Sequence, residues 1–206
     1  HNLPILQPEK LKDENFIKHL KAIAPDIIVV VAFRILPREV YTLAKLGSFN
    51  LHASLLPKYR GAAPINWAVI NGETKTGVTT FFLDDKVDTG NIIFQEEVDI
   101  HSDETAGDLH DKLMYVGANL VLKTVRAIIN NTAPKIQQSD LSASPAPKIF
   151  KEHCKIDWNN PIEKVHNLIR GLSPYPAAFT TYKGKIIKIY KSEKTNTKSE
   201  VLPGSI

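Results

Sequence analysis

The 206-residue chain holds one cysteine, Cys154, and no two of its ten glycines stand two apart. A lone cysteine excludes an internal disulfide framework and fits a reducing compartment. Without G-x-G there is neither a dinucleotide fingerprint nor a phosphate-binding Walker loop. Metal-ligand spacings are missing as well, since His101 and His110 fall out of register and His153-Cys154 stands alone. No Gly-x-Ser-x-Gly and no Cys–His pair offers a covalent nucleophile. No apolar run approaches the ~20 residues that span a bilayer, and the start does not resemble a signal peptide. These absences set aside zinc, phosphate-loop, serine-hydrolase and membrane-spanning readings. The expectation is a cytoplasmic protein with no membrane partner.

What is present is ordinary in amount: 43% apolar and 23% charged residues, with a net charge of +4. That balance permits a polyanionic partner without requiring one. The chain opens on His1 rather than Met, which reads as a fragment or a processed form. Residues 1–131 alternate strand and helix patterns. Strand candidates are residues 3–6, 26–32, 48–52, 77–84 and 91–100. The β-branched run at 26–32 has the composition of a parallel strand buried on both sides. Helix candidates are residues 13–23, 37–47, 64–71 and 104–129, the last with Leu109, Leu113, Val116 and Leu120 as its buried stripe. Strands separated by helices predict an α/β fold with a Rossmann-like, mostly parallel sheet. Residues 132–150 are linker, rich in Ser, Ala and Pro towards their end. A smaller second domain begins at 151 and runs to 206, with a helix capped by Asn160 and ending at Gly171, then a hairpin turning at Lys183-Gly184-Lys185. Lys183, Lys185, Lys188, Lys191, Lys194 and Lys198 make this end basic.

The densest signal lies at Asn50 to Gly61. Asn50 and His52 are two apart, so on a strand they share one side. At the carboxyl end of a strand in an open α/β sheet, an amide donor and an imidazole stand where ligands bind. One polarises a carbonyl and the other moves a proton, which suits acyl or formyl transfer. A histidine near a strand end is more often a structural hydrogen-bonding residue. Asp88 is the natural third member, although Asp84, Asp85 and Asp88 share its turn and spacing does not rank them. Arg60 would grip a carboxylate or phosphate, or simply sit solvated in the loop. Trp67 reads as core.

Asn50-x-His52-x-Ser54-Leu55-Leu56-Pro57, followed by Asp88-x-Gly90, resembles the signature of the folate-dependent formyltransferases. Gly61-Ala62-Ala63-Pro64-Ile65-Asn66-Trp67 and Thr76-Gly77-Val78-Thr79 resemble the branch that acts on methionyl-tRNA, and sugar formyltransferases carry similar text. Lys148-Ile149-Phe150-Lys151-Glu152, Ile156-Asp157-Trp158 and the run from Ile169 to Ala177 are similar to that branch's inter-domain and C-terminal segments. The resemblance covers nearly the whole chain. It implies that the first βαβ portion and most of an OB-like C-terminal barrel are missing, that the fragment alone is inactive, and that Phe33-Arg34 replaces the family's usual Tyr-Gly.

The resemblance further implies 10-formyltetrahydrofolate as formyl donor and initiator methionyl-tRNA as acceptor, in a monomer that needs no metal. Asn50, His52 and Asp88 would be catalytic, and Ser54, Leu55, Leu56 and Pro57 would line the folate site. Formylation of an amino-sugar nucleotide is the alternative with the same three residues. A hydrolase releasing formate from the folate and a non-catalytic tRNA- or folate-binding module also stay open.

Overall fold

The computed structural model describes residues 3–31, 34–195 and 201–205. The sheet that carries Asn50 and His52 is four-stranded. In chain order its strands are β1 (Ile28–Val31), β2 (Ser48–His52), β4 (Lys75–Phe82) and β5 (Ile92–Asp99), and this is also their spatial order. A two-residue strand, β3 (Arg60–Gly61), falls between β2 and β4 in the chain and stands outside this sheet. Parallel pairing joins β1 to β2, after a crossover that includes the short helix α2 (Arg38–Tyr41). The pairs β2–β4 and β4–β5 are antiparallel. For β4–β5 the cause is connection length, because one turn returns the chain directly alongside itself. The α/β architecture is as expected, with parallel character in its first pair and a hairpin completing the described sheet.

Two helices fix β2 from one side. The long helix α4 (Ala106–Ile129) starts at a capping box in which Thr105 and Asp108 satisfy each other's backbone N–H. Its stripe Leu109, Leu113 and Leu120 is buried in one cluster with Val78, Ala68 and Val69, and Val116 packs against that cluster. Gly117 lets α4 come down onto β2, since a Cβ there would lie 2.7 Å from Leu51 Cδ2. The helix α3 (Pro64–Ile70) carries Ala68 and Val69. Against α3 packs α5 (Ile162–Leu172), where Gly171 allows contact: its Cβ would meet Ile70 Cγ1 at 2.5 Å. Beyond α5, β7 (Ala178–Tyr182) and β8 (Lys185–Ile189) form an antiparallel hairpin. Lys183 and Gly184 at its tip both take positive φ, 47° and 75°, as a tight hairpin turn demands.

Several expectations are corrected. Residues 3–6 form no strand. The run at 26–32 yields only Ile28–Val31, with Ala32 outside the described residues. That strand is not buried on both sides: Val30 is 8% exposed, but Val29 and Val31 are 40% and 54% exposed. Those two valines share a face with Phe49 and Leu51, which α4 covers at β2 but leaves part-exposed at β1. The helix expected over 37–47 is a single turn, Arg38–Tyr41, with Pro37 at its N-cap. Asn160 does not cap α5, because its Nδ2 turns back to donate to the Asp157 carbonyl at 3.3 Å, and Pro161 takes the N-cap position. Gly171 lies inside α5 rather than ending it. The helix α1 (Glu14–Ile23) forms under an Asp13 cap but buries none of its residues. Phe33 and Lys198 lie outside the described residues.

Leu109 is fully buried at the first turn of α4. Leu109→Ala is expected to lower unfolding free energy by about 2–5 kcal/mol, the range for leucine truncation in a packed core. Urea unfolding of the two proteins measures it, and a loss near zero would mean that α4 does not organise the core.

Candidate active site

The centre is built from β2 and two loops. His52, the last residue of β2, is 6% exposed. Its Nε2 lies 2.8 Å from the carbonyl oxygen of Tyr59. A carbonyl can only accept, so Nε2 must hold the proton and donate it. The ring's tautomer is thereby fixed. Nδ1 becomes the nitrogen that can gain or lose a proton, and it lies 3.8 Å from Asp88 Oδ2.

Tyr59 reaches this position by adopting φ 59°, an uncommon conformation for a bulky residue. Its hydroxyl anchors it by donating to Glu73 Oε1 at 2.7 Å and accepting from Asn71 Nδ2 at 3.2 Å. Burial pushes the Tyr59 phenol up to about 12, with the Glu73 carboxylate adding to the rise and the Asn71 amide opposing it.

Asp88 is 8% exposed and also has positive φ, 56°. Its Oδ2 accepts the backbone N–H of Gly61 at 2.9 Å. Gly90 closes the same turn and must be glycine, because a Cβ there would overlap the Phe82 carbonyl oxygen at 1.7 Å. Of the three aspartates that spacing left unranked, Asp88 is the one beside the histidine. Asp85 instead pairs with Arg38 at 2.9 Å and accepts from the Tyr41 hydroxyl, and Asp84 accepts from the Thr89 hydroxyl.

Asn50 lies two residues before His52 on β2, on the same side, and its Oδ1 is buried with no hydrogen-bond partner. A buried polar atom left unpaired costs about 1–3 kcal/mol. A substrate donor that paired with it would offset that cost. The loop after β2 is divided. Ser54 is fully buried and spends its hydroxyl on the Lys58 carbonyl at 2.6 Å. Leu56 belongs to an apolar cluster with Phe81 and Ile92. Leu55 and Pro57 are half-buried, and the Leu56–Pro57 peptide is cis. Thr79 Oγ1 holds this loop, donating to Ser54 O at 2.6 Å and accepting from Leu56 N and Gln95 Nε2.

Residues that looked like bystanders are also engaged. Arg60 grips Asp140 at 2.8 Å and Gln138, both on the segment expected to be linker. Trp67 is half-buried rather than core, and its Nε1 donates to the Pro147 carbonyl at 2.7 Å. Pattern reasoning missed Tyr59, whose part is played by a backbone carbonyl, and Gln138, whose lone polar side chain had no periodic signal. Clefts of about 370 and 580 Å³ lie elsewhere, the larger against Asn66, Gly107 and Pro174. Neither is lined by Asn50, His52 or Asp88.

Family models for formyl transferase and for the formyl transferase C-terminal domain match residues 2–125 and 148–206. The chain belongs to the formyl transferase family. It is 53% identical, across its whole length, to the methionyl-tRNA formyltransferase of Bacteroides thetaiotaomicron, of which it covers 66%. To the enzyme of that name from Azobacteroides pseudotrichonymphae it is 54% identical over 98% of the chain and 66% of the relative. It thus spans just under two thirds of the length of these curated relatives. Among solved structures, an N-formyltransferase from Helicobacter canadensis, in complex with folinic acid and dTDP-3-aminofucose, matches at 32% identity and TM-score 0.65. That match covers 76% of this chain and 58% of the other. HypX from Aquifex aeolicus shares the fold at TM-score 0.76 and 18% identity, covering 92% of this chain and 33% of its own.

The Tyr59 anchor makes an alkaline prediction. Its phenol lies above the ordinary 10.0, so its contribution to stability is complete below pH 10 and is lost as pH rises towards about 12. An absorbance titration should show a step near pH 12 that Tyr59→Phe abolishes, beside Tyr41, whose phenol the hydrogen bond to Asp85 also raises. A step near pH 12 that persists in the variant would assign it to another tyrosine.

Proposed function

We propose that the full-length protein transfers the formyl group of 10-formyltetrahydrofolate to the α-amine of methionine on charged initiator tRNA, in the cytoplasm. Asn50, His52 and Asp88 would be its catalytic residues. The observation that carries this is the fixed tautomer of His52, whose Nδ1 faces the Asp88 carboxylate beside the unpartnered amide oxygen of Asn50. The choice of acceptor rests on relatives 53% and 54% identical that bear the methionyl-tRNA name. It is also supported by Lys183, Lys185 and Lys191, exposed on the second unit without carboxylate partners in the described ion pairs. Lys194 is different, being paired with Glu163 at 2.8 Å.

The amine nitrogen attacks the formyl carbon, and the carbonyl electron pair moves to oxygen. Asn50 Nδ2 donates to that oxygen. His52 donates to it through Nδ1, which it can do only as the imidazolium because Tyr59 already holds the Nε2 proton. Two donors aimed at developing charge in a water-poor site form an oxyanion hole. Asp88, 3.8 Å from Nδ1, stabilises the imidazolium and takes part in moving the proton that the amine loses. Collapse of the intermediate breaks the bond to N10 of the folate, which leaves with a proton. Asn50 Oδ1 would accept an N–H of the attacking amine, which orients its lone pair. Leu55, Pro57 and the backbone around the inward-facing Ser54 and Leu56 would flank the pterin and benzoyl rings, which need shape more than charge.

Incorporation of formyl groups into methionyl-tRNA by the full-length protein tests the reaction. His52→Ala is expected to remove it, and Asn50→Ala to lower it ~100-fold or more, as for loss of one oxyanion donor. Asp88→Asn, which keeps an acceptor for Gly61 N–H, should cost ~100- to 10,000-fold. Folate consumed only with an amino-sugar nucleotide would keep the centre and change the substrate.

A further inference from the structure

The segment between the two units, residues 132–150, is threaded through the catalytic loops. Ser144 accepts the backbone N–H of Tyr59 on its Oγ and that of Arg60 on its carbonyl, each at 2.9 Å. One step on, β6 (Pro145–Ala146) pairs in parallel with β3, and Ala146 accepts from Ala63 N at 3.1 Å. The approach is so close that a Cβ on Gly61 would meet Ala146 O at 2.6 Å. Gly61, in turn, is the residue whose N–H binds the Asp88 carboxylate.

Gln138 does more than brace a loop. Its Nε2 donates to the Asp88 carbonyl at 3.0 Å and to the Gly90 carbonyl at 2.8 Å. Its Oε1 accepts from Arg60 Nε and Nη2 at 3.1 and 2.8 Å. One amide therefore uses both its donors on the turn that carries Asp88, and its acceptor on the loop that carries Tyr59. Asp88 holds a left-handed backbone conformation, which is unfavourable for a residue other than glycine. A turn in that conformation relaxes unless its flanking carbonyls are fixed. The two partners of His52, the Tyr59 carbonyl and the Asp88 carboxylate, come from loops that are far apart in sequence, and Gln138 bridges those loops.

We propose that Gln138 is a positioning residue of the catalytic centre, fixing the Asp88 carboxylate relative to His52 through the carbonyls of Asp88 and Gly90. This rests on the catalytic assignment of Asp88 made above. It makes the segment between the domains part of the active site.

The test uses the full-length protein and steady-state formyl transfer. Gln138→Ala is expected to lower kcat ~10- to 100-fold, the cost of a misplacement near 1 Å, with KM for folate and acceptor almost unchanged. Gln138→Glu keeps an acceptor for Arg60 and replaces the two donors by a carboxylate oxygen facing the Asp88 and Gly90 carbonyls. It should therefore be at least as slow as Gln138→Ala, and circular dichroism at the assay temperature, unchanged from the parent in both variants, guards against a variant that merely fails to fold. In an Asp88→Asn background the further loss from Gln138→Ala should shrink towards none, because the residue acts through Asp88. Full activity in Gln138→Glu would overturn the proposal, as would an undiminished further loss in the Asp88→Asn background. If the unsubstituted protein formylates only an amino-sugar nucleotide, the acceptor assignment fails, and the same cycle run with that acceptor still decides the role of Gln138. If it formylates no amine, the catalytic reading fails, and the proposal with it.

Discussion

The hydrogen bond from His52 Nε2 to the Tyr59 carbonyl is the constraint on which the rest of the site depends. It decides which ring nitrogen faces the chemistry, and so which partner can influence it. With that proton committed, Nδ1 answers to Asp88 alone among the described ion pairs. Were the ring free to turn, either nitrogen could face the carboxylate, and the imidazolium would offer its proton in no fixed direction. Tyr59 must hold an unfavourable backbone angle to supply that carbonyl, and the phenol contacts to Glu73 and Asn71 together with Ser144 hold it there.

The balance of energies leaves this pair little part in stability. A unit charge pair at 3.8 Å attracts by on the order of 4 kcal/mol at an intermediate effective dielectric. Burying each ion costs several kcal/mol, so the two effects roughly cancel. The arrangement gains the fold little, and under the proposed reaction it holds an imidazolium and a carboxylate away from water, where each acts more strongly on a reacting centre. The unpaired Asn50 Oδ1 adds a cost to the same face of β2. Costs gathered on one strand end, with good packing beneath them from Leu109 and Val78, are what a preorganised site requires.

How much of this was legible in the sequence follows from where each feature is encoded. The limits of β2 were read to the residue, because a short apolar-flanked segment between Gly47 and a polar loop has period two and clear ends. The stripe of α4 was read for the same kind of reason. The Asn50 and His52 pair was visible as a spacing, and Asp88 only as one of three aspartates. What stayed hidden was carried by atoms that every residue has, namely the carbonyls of Tyr59, Asp88 and Gly90. Composition predicts the valines of β1 buried on two faces, because it records apolar character and not what lies opposite. Asn160 looked like a cap because the motif permits one, and a competing turn to Asp157 took its side chain instead.

The segment read as linker is the more instructive case. Serine, alanine and proline between two patterned regions describe a chain that makes no regular secondary structure of its own, and residues 132–150 have little. Lack of regular structure leaves backbone groups unpaired, and when such a segment is packed down those groups must find partners elsewhere. Here they find them on the loops around His52: Ser144 on Tyr59 and Arg60, Ala146 on Ala63, Pro147 on Trp67. The composition that marks a segment as free of secondary structure is therefore the same composition that lets it serve as a strap.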